Sequence, residues 1–199
     1  MISVFDLFKI GIGPSSSHTI GPMRAAYAFR NSVVAAALSP RMARLRATLF
    51  GSLAWTGRGH ATDKAVVLGL LGMRPESADP DDAAVAFQEV CERNSLRWAD
   101  GRLVPFDLGR DVVFDLERLM PRHSNAMTLT ALDERGQVLL EETWYSIGGG
   151  FVMREGDAPS QDVESASVPY YFAAQLSCCS IARRPGCPSR RSCSRTNAP

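Results

Sequence analysis

Arg44-Leu45-Arg46-Ala47-Thr48-Leu49 alternates polar and apolar side chains, the two-residue period of a half-buried strand. That strand is expected over residues 42–50. A glycine-bearing loop, Gly51 to Gly59, follows it. Residues 61–71 then read as a helix ending at Gly72. Its Val66, Val67, Leu68, Leu70 and Leu71 are apolar nearly all round, so it must be covered on most sides.

Working outward, residues 21–38 carry Ala26, Phe29, Val33 and Ala36 at helical spacing. Pro22 suits a first helical turn, and Ser17 or Thr19 is placed to cap it. Asp79-Pro80-Asp81-Asp82 is a helix start, with a cap, a proline and acids at the positive dipole end. That helix is expected to reach Asn94 with Ala84, Phe87, Val90 and Cys91 facing inward. Strands are expected at 111–116, 126–132 and 137–147, the last two joined by a turn at Asp133-Glu134-Arg135-Gly136. Gly148-Gly149-Gly150 precedes Phe151-Val152-Met153 and marks a bulge or a close approach to the backbone. The polar stretch 155–167 reads as a linker. The fold expected is mixed α/β, a four- to five-stranded sheet with packed helices, as one domain over about residues 1–170.

The 199 residues are 45% hydrophobic and 22% charged, an ordinary globular composition with enough chain for a proper core. Five arginines and no acid lie beyond residue 172, so the body is mildly acidic and has no nucleic-acid footprint. No apolar run approaches the ~20 residues that span a bilayer, and residues 1–13 lack the pattern of a secretory signal. A cytoplasmic protein without membrane or nucleic-acid partners is expected. Cys91 is the single cysteine of the body, so no disulfide scaffold is expected there.

The three histidines stand in polar loops beside expected elements: Ser15-Ser16-Ser17-His18-Thr19, Thr56-Gly57-Arg58-Gly59-His60 and His123-Ser124-Asn125. Imidazole titrates near neutrality and is the usual proton carrier of an active site. The Gly11–Thr19 stretch leads into a helix N-terminus, which favours a carboxylate or phosphate; the plain alternative is a capped helix start with spare serines. Asp63 either caps the next helix or holds the His60 imidazole in one tautomer. Tyr145, beside the triple glycine, either turns its hydroxyl into a cleft or is a half-buried strand tyrosine. The histidines lack the spacing of a zinc site.

Taken together, Phe5 to Thr19, Gly51-Ser52-Leu53-Ala54, Thr56 to Asp63, His123 to Met127 and Tyr145 to Phe151 resemble, in order, the N-terminal or β domain of the iron–sulfur-dependent bacterial L-serine dehydratases (L-serine ammonia-lyases). The resemblance covers about residues 2–170. It implies a fold like the allosteric substrate-binding domain of some 3-phosphoglycerate dehydrogenases. It also implies a larger α domain, absent here, whose cysteines ligate a [4Fe–4S] cluster, with no metal ligand in this chain and no PLP. The substrate implied is L-serine, converted to pyruvate and ammonia, in an enzyme expected to be a homo-oligomer. His18, His60, His123 and Tyr145 fall at positions expected to line the active site. His60 is expected to be the base, with Ser15, Ser16, Ser17, Thr19 and Asn125 on the substrate side. The other reading is a non-catalytic module that binds serine or a related small carboxylate.

The resemblance fades after Val168-Pro169-Tyr170. The arginine–cysteine–serine tail 171–199, with Cys178, Cys179, Cys187 and Cys193, is read as a disordered product of a frameshift or early stop. A separate α chain is the alternative. Those cysteines match no cluster spacing.

Overall fold

The computed structural model describes residues 13–157. The domain boundary expected near residue 170 and the tail 171–199 lie outside them. A π-helical turn, Ser16–Ile20, runs directly into helix α1, Gly21–Ala35. Strand β1, Arg44–Gly51, is followed without a break by the short helix α2, Ser52–Thr56, and a 3-10 turn, Arg58–His60. Helix α3 is Thr62–Leu71 and α4 is Pro80–Arg93. A two-stranded ribbon, β2 Ser95–Arg97 with β3 Leu103–Pro105, and the short α5, Leu108–Asp111, lead to β4, Val112–Asp115. Strands β5, Asn125–Leu132, β6, Val138–Gly148, and β7, Phe151–Arg154, complete the described fold.

The main sheet has five strands in the order β4-β1-β5-β6-β7, with β4 parallel to β1 and every other pair antiparallel. The expected mixed α/β fold is therefore found. The alternation of β1 is as read: Leu45, Ala47 and Leu49 are fully buried. They pack with Phe29 and Val33 of α1, Val66 and Leu70 of α3, and Met127, Leu129 and Trp144 of the neighbouring strands. Each of the larger aliphatic and phenylalanine side chains contributes roughly 1.5–3 kcal/mol by leaving water. Helices α1 and α3 meet closely at Gly69, where a Cβ would lie 2.3 Å from the Met23 carbonyl oxygen.

Four local expectations are corrected. Helix α1 stops at Ala35 and leaves Ala36 exposed, because Ala37 turns left-handed at φ 53°. No side chain caps it, since the π-helical turn supplies its preceding residues. The inward line of α4 is Ala83, Phe87 and Val90; Ala84 and Cys91 are exposed, one step round the helix. The stretch expected as a plain loop, 51–59, contains α2 and the start of a 3-10 turn.

The triple glycine closes the β6–β7 hairpin, with Gly148, Gly149 and Gly150 all at positive φ. The expected close approach is there: the Arg24 guanidinium donates to the Gly150 carbonyl at 2.5 Å, and a Cβ on Gly150 would meet Ile20 at 2.8 Å.

One end of the sheet collects the loops that matter. Register pairs Phe50 with Asp115, Gly51 with Asn125 and Ala126 with Tyr145. The end of β1, the start of β5 and the end of β6 therefore share that edge, and α2 leaves from it. Gly51 adopts φ 53°, and a Cβ there would lie 2.3 Å from the Ser124 carbonyl oxygen. Gly51→Ala is thus expected to destabilise the full chain by more than ~1 kcal/mol. Gly59→Ala, with open space around it, should stay within about 0.5 kcal/mol. Urea unfolding midpoints of the two variants at unchanged m-value check the contrast.

Candidate active site

Two chain turns bring His18 and His60 together. The first is the Ser16–Ile20 turn, closed where Thr19 donates its N–H and hydroxyl to the Ser15 carbonyl. It is fastened on both sides. Ser146 Oγ donates to the Ser17 carbonyl at 2.8 Å, and Thr62 Oγ1 donates to the His18 carbonyl at 2.8 Å. The second turn is Arg58–His60, ended by Ala61 in the left-handed region at φ 56°, ψ 39°. A non-glycine residue is uncommon there and costs roughly 1–2 kcal/mol. The bend at Ala61 lets α3 start at Thr62, one residue beyond the turn.

The two rings lie 4.8 Å apart between centroids and are tilted by 36°. His18 is 9% exposed, whereas His60 is half-buried. His18 Nδ1 lies 3.0 Å from Ser17 Oγ, and its Nε2 lies 3.2 Å from Ser52 Oγ and 2.9 Å from Thr56 Oγ1. His60 Nδ1 lies 3.0 Å from the Thr56 carbonyl oxygen. Ser15 Oγ continues the hydroxyl line, 3.4 Å from Ser17 Oγ. Ser16 is exposed at the start of the turn. Asp63 does not hold the imidazole: its carboxylate accepts from the Lys64 N–H at 2.8 Å.

His123 and Asn125 reach the same end of the sheet. The Ser52 N–H donates to the Ser124 carbonyl at 2.9 Å, and His123 Nδ1 accepts from the Asn125 N–H at 3.0 Å. Asn125 is 8% exposed and donates Nδ2 to the Ser146 carbonyl at 3.4 Å. Its Oδ1 is buried and accepts no hydrogen bond among the described residues. No ring contact or hydrogen bond joins His123 to His18 or His60 among the described residues.

Tyr145 is placed apart from the pair. Strand side chains alternate between faces. Trp144 fills the main core and Ser146 bonds the Ser17 turn, so Tyr145 projects from the other face onto Phe50 and Ala126. It is fully buried, and its hydroxyl donates to Glu155. Burial, then the Glu155 carboxylate, pushes the phenol up to about 12.

Ser52 touches the His18 imidazole and Thr56 touches both rings, a role expected of neither from the motifs that contain them. Their i, i+4 spacing puts both on one face of a helical turn, a signal hidden by reading the stretch as a loop.

No group of three or more His, Cys, Asp or Glu among the described residues is gathered to hold a metal ion, and the cysteine among them, Cys91, is exposed at the surface. The described residues do not fit an iron–sulfur cluster. No helix among them is long and apolar enough to cross a membrane.

Burial, and then the neighbouring His60, lowers the pKa of His18 below its ordinary value. The fold therefore favours the neutral imidazole. Below about pH 6.5 the unfolded chain binds the proton that folded His18 resists, so stability falls with pH and is fully present above that point. Unfolding free energies of the full chain between pH 7.5 and 5 should fall more for the native sequence than for His18→Gln.

Residues 3–157 match the serine dehydratase beta chain family. The chain is 40% identical over 173 residues to an L-serine dehydratase of Haemophilus influenzae, covering 86% of this chain and 38% of that protein. It is 44% identical over 161 residues to an L-serine dehydratase of Streptomyces coelicolor, covering 81% and 35%. With an L-serine dehydratase of Mycobacterium tuberculosis it shares 42% over 178 residues, covering 88% and 38%. The chain thus spans little more than a third of the length of these curated relatives. With a buried and a half-exposed histidine paired at one end of a five-stranded sheet, it belongs to the serine dehydratase beta chain family.

Proposed function

We propose that this chain supplies the proton-transfer side of an L-serine dehydratase active site and is inactive alone. The observation that carries the reading is the His18–His60 pair, one imidazole buried and tied by hydroxyls, the other half-exposed beside it. Removing the Cα proton of serine requires a positioned base. His60 takes that role because its ring is accessible and its Nδ1 is already engaged by the Thr56 carbonyl. His18 and the Ser15–Ser17 turn orient the carboxylate, with Ser16 and Thr19 shaping that turn. Asn125 Oδ1, a buried acceptor without a donor among the described residues, takes a hydrogen of the serine ammonium. His123 accepts the Asn125 N–H on Nδ1, so its neutral ring carries the proton on Nε2 and supports departure of the 3-hydroxyl. Loss of the Cα proton and of hydroxide, as water, leaves 2-aminoacrylate. That enamine tautomerises to the imine and hydrolyses to pyruvate and ammonia.

The described residues offer no cluster ligands, and in this reading a [4Fe–4S] cluster belongs to a larger α domain or subunit. A cytoplasmic homo-oligomer belongs to the same reading. The docking face for the α part is the histidine-bearing end of the sheet. Trp55 of α2 is 67% exposed there, and Leu116, Leu119 and Ile147 are exposed on the loops and strand that end at the same edge. Exposed aromatic anchors of this kind carry much of the energy of an interface.

The test pairs the full chain with the segment that follows the matched region in the Haemophilus influenzae relative, prepared without oxygen. The pair should form pyruvate from L-serine while neither part does alone. His60→Ala should lower kcat by about 10²–10⁴-fold with little change in KM. Absence of turnover contradicts the reading, and a change in KM alone favours the non-catalytic binding module. Trp55→Ala should weaken association of the two parts by about 30-fold or more, as loss of an interface anchor does, with the circular dichroism of the chain unchanged; an unaltered dissociation constant removes Trp55 from the interface.

A further inference from the structure

We infer that Thr56 is a positioning residue that fixes opposite tautomers on the two imidazoles, placing the proton of His18 on Nε2 and that of His60 on Nδ1. The assignment deepens the proposed proton-transfer role, but its geometry stands without it.

A hydroxyl has one hydrogen to donate and a backbone carbonyl has none. Thr56 Oγ1 lies 2.9 Å from the Ser52 carbonyl oxygen, so its hydrogen is committed there. Toward His18 the same oxygen therefore accepts, and the donor across 2.9 Å is His18 Nε2–H. Ser52 Oγ, at 3.2 Å, is a second oxygen facing that hydrogen. Nδ1 of neutral His18 is then the bare nitrogen, and Ser17 Oγ–H donates to it across 3.0 Å. Ser15 Oγ–H donates to Ser17 Oγ across the longer 3.4 Å gap. The result is a one-way line of donors, from Ser15 through Ser17, His18 and Thr56 to the Ser52 carbonyl.

The backbone of the same residue settles the second ring. The Thr56 carbonyl faces His60 Nδ1 at 3.0 Å and can only accept, so Nδ1 holds the hydrogen. Nε2 of neutral His60 is left with its lone pair. The histidine side chain in water prefers the hydrogen on Nε2, so His60 is held in its less common form. One residue thus fixes through its side chain the imidazole that keeps Nε2–H and through its main chain the one that frees Nε2. Only the bare Nε2 of His60 suits proton abstraction. Burial and the neighbouring ring favour the neutral form of His18, the form that this line of donors requires.

Long-range nitrogen–proton correlation spectra of the full chain, labelled with nitrogen-15, read the tautomers directly at pH 7.5. The expected spectrum has its pyridine-like nitrogen on Nδ1 for His18 and on Nε2 for His60. Thr56→Val removes the hydroxyl at nearly constant volume. It should move the His18 signals toward an average of both tautomers while His60, held by the main chain, stays as it was. Thr56→Ser should restore the native His18 pattern, which a merely structural effect of the substitution would not do. A native His18 protonated on Nδ1, or a His60 protonated on Nε2, overturns the assignment. So do His18 signals indifferent to Thr56→Val. All of these are read without turnover, so a failure of the proposed catalytic role is distinguishable from a failure of this one.

Discussion

The contact on which the site depends is a backbone one: the end of β1 pressed against the start of β5. Gly51 sits where a Cβ would strike the Ser124 carbonyl, and the next N–H, of Ser52, donates to that same carbonyl. This close pairing turns the chain from strand into α2 within one residue. It puts Ser52 and Thr56 under His18, and it seats the His123–Asn125 loop beside them. A side chain at residue 51 would push the strands apart at the one edge where all three histidines gather.

The remaining constraints hold the other half of the site. The His18 turn is fastened through its carbonyls, by Ser146 from the sheet and Thr62 from α3. Its side chain is thereby left free for hydroxyl partners. Arg24 binds the triple-glycine hairpin to α1 and makes an ion pair with Glu76, so the helix that follows the His18 turn is anchored at its first residues. The buried ring is bordered by the hydroxyls of Ser17, Ser52 and Thr56, while the half-exposed ring has its Nδ1 engaged by the Thr56 carbonyl. That division follows from burial and hydrogen-bond direction alone.

Much of the fold was legible in the sequence, and the misses have distinct physical causes. The alternation of Leu45, Ala47 and Leu49 named the central strand because one face is fully buried. Asp79-Pro80 named the start of α4, where Asp79 accepts from the Asp81 and Asp82 N–H groups. The phase of α4 slipped by one residue because Ala83 and Ala84 are alike and Cys91 adjoins Val90. The sequence shows the three histidines in similar polar stretches, but not their partners. His18 meets Ser52 and Thr56 across 34 and 38 residues, and no local pattern encodes that approach. Asp111 is a similar case. Burial alone would raise its pKa, yet Arg110, the Asp107 N–H and Arg44 hold it below the usual carboxylate range. Arg44 comes from β1, far away in sequence. For Tyr145 the sequence left a cleft hydroxyl and a strand tyrosine both open, and strand alternation places it against Phe50 and Ala126.

The central claim is that His60, set by Thr56 beside a neutral His18, faces the Cα of serine. A structure of the assembled enzyme with L-serine bound tests it most directly. The account predicts serine Cα within about 3.5 Å of His60 Nε2, the reach of a group poised to react, with the carboxylate on the Ser15–His18 turn. Serine bound elsewhere, or bound here with its Cα turned away from His60, would contradict it.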